Sequence, residues 1–521
     1  MLRRLGLNSP TLFFEVNTMK PTLPLPISPT IALETTPLTP SSWESDDACT
    51  LVLLLPEGNR DAVEQTPWAD ALRQRMDVFP EKTNPIITTT PSGLRTAIGF
   101  IGESVSSFKL LTLARKLVGP LLNERPSQIK VVSLLENNGN AQAMAEALVA
   151  AVHAAVFRLP KITGKPEDVS ALQTVTFVGD YGKADFSHAM ATAEGNNLAR
   201  WLTQLPGNYL TPAIYRSYAE TLAKQEGWGA DFVDLKRLEK LGAGAFLSVT
   251  EASPNRDAGV LHLTYRPKGS KGPALALVGK GICFDTGGSN LKVGGSMLGM
   301  HGDMQGSAVA LGAFLALTRL GFNQPLDCWL ALAENHIGPN AVKCNDVITA
   351  MNGTTIELIN TDAEGRMVLA DTLALASREK PIAILDYATL TGGVVAALGQ
   401  RMAGAMTNRR DWIEPIIQAG EHCGERVWPM PYEDDYDEDL ESQVADTLQC
   451  RTQGAGDHLY AARFLGRFVG EGIGWVHVDM ASSGTHKGGL AQIPTDVQGF
   501  GVRFGVEWFS NMVAEKGTAT S

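Results

Sequence analysis

The chain has 521 residues, 44% hydrophobic and 19% charged, with a formal charge of −12 and a sequence pI near 5.3. That length exceeds one ordinary core, so two domains are expected. The acidic balance argues against a nucleic-acid surface, which needs clustered Lys and Arg to neutralise phosphates.

The opening MLRRLGLNSPTLFF carries two arginines and no acid before Glu15, faintly like a transit peptide, but it has little serine and no amphipathic repeat. Cytoplasm is therefore the expected location. Residues 20–41 hold Pro21, Pro24, Pro26, Pro29, Pro37 and Pro40; proline fixes φ and removes backbone donors, so 1–42 reads as an extended or disordered lead-in. CTLVLLLP (49–56) and IKVVSLL (129–135) read as buried strands, with SSFKLLTLARKLVGPLL (106–122) as a helix between them. ALVAAVHAAVF (147–157) is the richest apolar run but is too short to span a membrane and reads as a buried helix. This alternation predicts a smaller N-terminal α/β domain over 43–184. FSHAMATAEGNNLARWLTQL has helical spacing and stops at Pro206, giving a linker helix over 185–206. From 207 to 521 the alternation becomes more regular, in PALALVGKG (273–281), LDCWLALAE (326–334) and PIAILDYATLTG (381–392). The expected fold is α/β with two domains, the larger C-terminal catalytic domain built on a mixed, mainly parallel central sheet. In such sheets, ligands bind at loops on the carboxyl ends of strands. Cys49, Cys283, Cys328, Cys344, Cys423 and Cys450 form no CxxC pair, which excludes a small disulfide scaffold and points to a reducing compartment.

Three strand ends carry unusual residues. VGKGICFDTGG holds Lys280 and Asp285, SNLKVGG holds Lys292, HGDMQGSA holds Asp303, and NTDAEGRMVLAD holds Asp362, Glu364 and Arg366. Four carboxylates converging without compensation would repel and raise one another's pKa values. Two divalent cations would balance them, and oxygen donors at this density suit Mg, Mn or Zn, with bridged metals ~3.5–4 Å apart. Asp362 and Glu364, if extended, project to one face. Lys280 follows an apolar strand, so its ammonium must pair with acids or deprotonate and become a ligand. Lys292 and Arg366 leave positive charge over, which suits a reaction that develops an oxyanion, and peptide hydrolysis is one. No histidine pair of the HExxH kind belongs to these motifs, so HExxH chemistry is out, and VGKG lacks the phosphate-loop pattern.

Singly, each residue has a bland reading. Asp285 is a turn acid, Lys292 a solvated lysine, and NTDAEGR a helix start capped by Thr361 or Asp362 with AEGRMVLADTLALA as the helix. Recurrence of acids at several strand ends is what the bland readings fail to explain. YEDDYDEDLE (432–441) reads as a solvated loop, without EF-hand spacing for calcium. His301 and His477 read as structural or supporting residues and Cys283 as a small buried filler.

VGKGICFDTGG, Leu291–Lys292, DMQGSA, NTDAEGRMVLAD and ATLTG (388–392) resemble the leucyl aminopeptidase family, with the likeness closest over 195–480. The resemblance implies a two-metal site taking Zn²⁺, with Mn²⁺, Mg²⁺ or Co²⁺ at an exchangeable position. Lys280, Asp285, Asp303 and Glu364 would hold the tighter metal; Asp285, Asp362 and Glu364 would hold the other. It further implies that Lys292 polarises the scissile carbonyl, that Arg366 and Leu390 hold a bicarbonate ion acting as general base, and that Met300, Thr389, Gly392 and Ala481 join Lys292 and Asp303 in binding substrate. Peptides with a free N-terminus would be the substrates and a homohexamer the assembly. No membrane or nucleic acid is an expected partner. Gly484 stands where many relatives carry a larger apolar residue, so the subsite for the first side chain is expected to be roomier, admitting Leu, Met and aromatic groups. Gln305 replaces a commoner glycine. A DNA-binding role, a metal-free scaffold and a phosphatase on the same metals are the rival readings. The −12 charge and the intact ligand positions weigh against the first two, and the family motifs do not point to the third.

Overall fold

The computed structural model describes all residues except 1–23, 27–29, 44–48, 81, 136–139, 164–169, 182–183, 271 and 520–521. The transit-like opening lies outside the described residues. The N-terminal sheet contains β1 (Ala32–Thr36), β2 (Cys49–Pro56), β3 (Ile86–Thr89), β4 (Arg95–Ile101), β5 (Gln128–Ser133) and β6 (Thr174–Val178), in the order β1-β6-β5-β2-β4-β3. Every pairing in it is parallel except that of β3 with β4. β2 is apolar apart from Thr50 because both faces are covered. Val52 and Leu54 meet helices α2 (Ser107–Leu122) and α3 (Asn140–Val156), whereas Leu51 and Leu53 pack with Leu72 and Met76 of α1 (Ala69–Asp77). The proline-rich lead-in departs from expectation here. The stretch between Pro29 and Pro37 is free of proline and retains its amide donors, so β1 pairs with β6 and forms the sheet edge.

Helix α4 (Ser187–Gln204) ties the two cores together. Phe186 and Ala189 pack with the N-terminal core, while Leu198, Ala199, Trp201 and Leu202 pack with the larger one. The fully buried Arg200 fixes this junction by donating from Nη1 to the Ala154 carbonyl and from Nη2 to Thr495 Oγ1.

The central sheet has eight strands: β7 (Gly229–Asp234), β8 (Gly259–Tyr265), β9 (Leu275–Asp285), β10 (Leu326–Asn335), β11 (Ala383–Ala388), β12 (Ala403–Thr407), β13 (Val427–Pro429) and β14 (Gly474–Asp479). Their order is β13-β12-β14-β11-β9-β10-β8-β7, with β14, β11, β9 and β10 mutually parallel. From β9 the chain passes through α5 (Gln305–Arg319) to β10 on one side, then through α6 (Glu364–Arg378) across to β11 on the other. The two helices lie on opposite faces. Leu275 and Leu277 of β9 share a core with α5, and Ala276 and Val278 share one with α6. The carboxyl end of β9 is therefore a topological switch point, where strand ends part to leave a crevice.

Two local expectations need correcting. Helix α6 forms, but its N-cap position is Ala363, with no side-chain cap bond. Thr361 Oγ1 instead donates to the Gly287 carbonyl, so the polar residues before the helix hold neighbouring loops. The acidic run is not a free loop: Asp434–Leu440 forms a 3-10 turn with Asp437 gripped by Arg463 at 2.6 Å and Asp439 accepting from Tyr460 at 2.7 Å. No helix among the described residues is long and apolar enough to cross a membrane.

Helices α4 and α5 cross where glycine meets glycine. A Cβ on Gly195 would run into the Gly312 carbonyl oxygen, and one on Gly312 into that of Gly195. Gly195→Ala is expected to destabilise by about 1–3 kcal/mol, the cost of overpacking, despite the ~1 kcal/mol that alanine gains in helix propensity. A urea midpoint below that of the unchanged protein checks this.

Candidate metal centre

Lys280 lies inside β9 with its alkyl chain running past the first turn of α6. A Cβ at Gly365 would stand 2.6 Å from both Cε and Nζ of Lys280, so only glycine leaves room. The ammonium is buried and sits 2.8 Å from Asp303 Oδ2 and 2.9 Å from Glu364 Oε1, and it donates to the Thr389 carbonyl at 3.0 Å. Burial opposes its charge, but the carboxylates of Asp303, Glu364 and Asp285 prevail and hold its pKa above the usual lysine range. Burial pushes Asp303 well above the carboxylate range and Asp285 up to about 6. Glu364 is the exception: burial works against its charge, yet the Lys280 ammonium holds it below its ordinary value.

A second lysine serves the outer side. Lys292 Nζ lies 2.9 Å from Asp285 Oδ2 and 2.6 Å from Asp362 Oδ1. Burial opposes its charge too, but Asp285 and Asp362 keep its pKa raised. Each ammonium thus bridges one pair of acids. Asp362 and Glu364 do not share one extended face as expected. Asp362 sits in the turn before α6 and Glu364 is the helix's first residue, so they reach different lysines. Among the described residues, ligand oxygens of Asp285, Asp303 and Glu364 all lie within 4.8 Å of one another, and all three residues are buried. Four carboxylates against two ammoniums leave negative charge uncompensated, and the donors are hard oxygens with one amine nitrogen. That set fits divalent cations of the Mg, Mn or Zn kind.

All of these side chains open on a cleft of about 420 Å³, which Met300, Thr389, Leu390, Gly392 and Ala481 also line. Thr389 Oγ1 donates to Asp303 Oδ1 at 2.7 Å. Arg366 is buried and is not among the residues lining the cleft. Its Nη1 donates to the Gln449 carbonyl at 3.1 Å, and its Nε has no hydrogen-bond partner. Leu390 N already donates to Asp479 Oδ1 at 3.1 Å. His477 is fully buried, 2.6 Å from Asp386 Oδ1, and Cys283 is buried with the core.

Two supporting residues went unread in the sequence. Asn335 donates from Nδ2 to Asp285 Oδ1 at 2.8 Å and to the Thr361 carbonyl at 3.1 Å, joining two acidic loops. Asp479 accepts from Thr391 Oγ1 at 2.6 Å and Ala481 N at 3.1 Å, fixing the cleft's far wall. Both are the last residue of a buried strand; a polar residue closing an apolar run was the available signal.

The family model of the cytosol aminopeptidase catalytic domain matches residues 197–506. A probable cytosol aminopeptidase of Corynebacterium diphtheriae is 39% identical over 359 residues, 68% of this chain and 71% of that protein. A solved variant of tomato leucine aminopeptidase superposes with a TM-score of 0.81 at 27% identity, over 93% of this chain and 97% of its own. The bottromycin maturation enzyme BotP in complex with Mn gives a TM-score of 0.77 at 28% identity, over 89% and 99%.

Gly365→Ala should force Lys280 out from between Asp303 and Glu364 while leaving every carboxylate in place. Weakening of Mn²⁺ or Zn²⁺ binding by at least roughly 10–100-fold, the scale for losing even an outer partner of a metal ligand, is expected in calorimetric titration.

Proposed function

The chain belongs to the cytosol aminopeptidase family, and on that premise we propose that it is a two-metal exopeptidase that removes N-terminal residues, leucine foremost, from peptides. It is a metal-dependent peptide hydrolase by that membership. The observation that carries the finer reading is the pair of lysine-bridged carboxylate clusters at the carboxyl end of β9. Bound there, divalent cations supply Lewis-acid activation and a water made nucleophilic near neutral pH.

The residues divide by depth. Lys280, Asp285, Asp303 and Glu364 would hold the tighter ion, and their near-complete burial supports that choice. As a ligand, Lys280 must shed the proton that Asp303 and Glu364 now hold on its Nζ. Asp285, Asp362 and Glu364 would hold the exchangeable ion; the Asp362 side chain, 30% exposed, supports the easier exchange. Zn²⁺ is the proposed tight ion, with Mn²⁺, Mg²⁺ or Co²⁺ at the outer position. With those acids engaged, the Lys292 ammonium is freed to donate to the scissile carbonyl and to the oxyanion that follows, in a cleft where a placed cation acts strongly. Met300, Thr389, Gly392 and Ala481 line the side of the cleft where the first side chain would lie.

Arg366 would hold a bicarbonate ion, which when bound would supply general-base chemistry beside the metal site. A buried guanidinium whose Nε lacks a partner supports an anion there; Leu390 could contribute its amide only by sharing it with Asp479. Assembly as a cytoplasmic homohexamer is proposed from the family resemblance, supported by the exposed apolar Val293 and Leu298 beside the cleft.

Hydrolysis of Leu-anilide should vanish on chelation and return with Mn²⁺ or Zn²⁺; rates indifferent to chelator would overturn the two-metal reading. Asp362→Ala should abolish turnover. Lys292→Ala should cut it by ~10²-fold or more, the scale of losing one oxyanion donor, and a rate like that of the unchanged enzyme would remove its assigned role.

A further inference from the structure

Gly484 does not enlarge the cleft as the sequence suggested. A Cβ there would lie 2.5 Å from Gln305 Oε1, so a carboxamide occupies the space that glycine leaves. Gln305 opens α5, two residues beyond Asp303, and lines the same cleft as Met300 and Ala481. It is only 7% exposed, and its Oε1 is buried without a hydrogen-bond partner. A buried amide oxygen lacking a donor is unfavourable; shielded against Gly484, this one meets a donor in the cleft when the carboxamide turns about its soft terminal torsion.

We propose that Gln305 is a specificity-determining residue whose carboxamide pairs with the amide of a glutamine at the substrate's N-terminus. The inference rests on the aminopeptidase reading of this cleft. Met300, Val395 and Ala481 line the cleft and give methylenes an apolar wall, while the amide beyond them offers an acceptor and a donor together. Glutamine has an unbranched stem like that of methionine, ending in the complementary pair of groups. A charged end would be desolvated against the same wall at greater cost. A site that hydrogen-bonds a polar side chain discriminates against the apolar analogue more sharply than an apolar pocket discriminates by one methylene.

The test is the ratio of kcat/KM for glutaminyl-anilide over methionyl-anilide, measured within each protein so that general losses cancel. The unchanged enzyme should give a ratio of about one or more, falling by at least ~10-fold in Gln305→Met, which fills the space without hydrogen bonds. Gly484→Ala, whose methyl displaces the carboxamide, should move the ratio in the same direction and keeps the test available if Gln305→Met does not fold. A ratio below roughly one-tenth in the unchanged enzyme, or a ratio that neither substitution moves, overturns the role of Gln305. Failure of the unchanged enzyme to cleave any aminoacyl-anilide overturns the aminopeptidase reading instead.

Discussion

A lysine ammonium buried in a central β-strand is tolerated only if its charge is met on the spot, because removing an unpaired charge from water costs several kcal/mol. Lys280 meets that condition with Asp303 from the turn before α5, Glu364 from the first turn of α6 and the Thr389 carbonyl just past β11. One cation thus ties three segments that are distant in sequence to the end of β9. The backbone yields to it. A Cβ at Gly279 would strike Ser307, one at Gly281 would lie 2.8 Å from the Ala331 carbonyl oxygen, and one at Gly365 would collide with Lys280 itself. These glycines let α5 and α6 approach the strand closely on opposite faces, and that approach brings the acids within reach.

The same crowding explains what the sequence disclosed. Polar residues that interrupt apolar strands are conspicuous, so Lys280, Asp285 and the two later acidic loops could be read as one site, and the β/α alternation placed them at strand ends. Strand β1 was hidden because its short proline-free run sits among prolines whose effect dominates a composition reading. The turn at Asp362 was misread because period-two logic needs an extended backbone, whereas Thr361 and Asn360 bend the chain by bonding to Gly287 and to the amide of Asp362. Gln305 and Gly484 were each visible as departures from the family pattern. Their relation was not, since it depends on the 178 residues between them folding back to set one against the other.

The site is unequal in depth, and that inequality has chemical consequences. On the Lys280 side every charged group is almost wholly buried, while on the other side the Lys292 and Asp362 side chains are 15% and 30% exposed. Coulombic attraction strengthens as the local dielectric falls, so a dication proposed for the inner set would be held strongly and would leave slowly. The outer set faces more water, which would weaken its grip on an ion and ease exchange. Asp285 belongs to both halves, with one oxygen fixed by Gly287 and Asn335 and the other facing Lys292. Such an acid can couple the two halves without moving, because its orientation is already set by backbone and carboxamide donors. Asn335 makes that coupling rigid, since the same Nδ2 that orients Asp285 also reaches the Thr361 carbonyl in the loop carrying Asp362. In the proposed two-metal reading the inner set would supply permanence and the outer set access, with the carboxylate between them, held by Gly287 and Asn335, fixing their spacing.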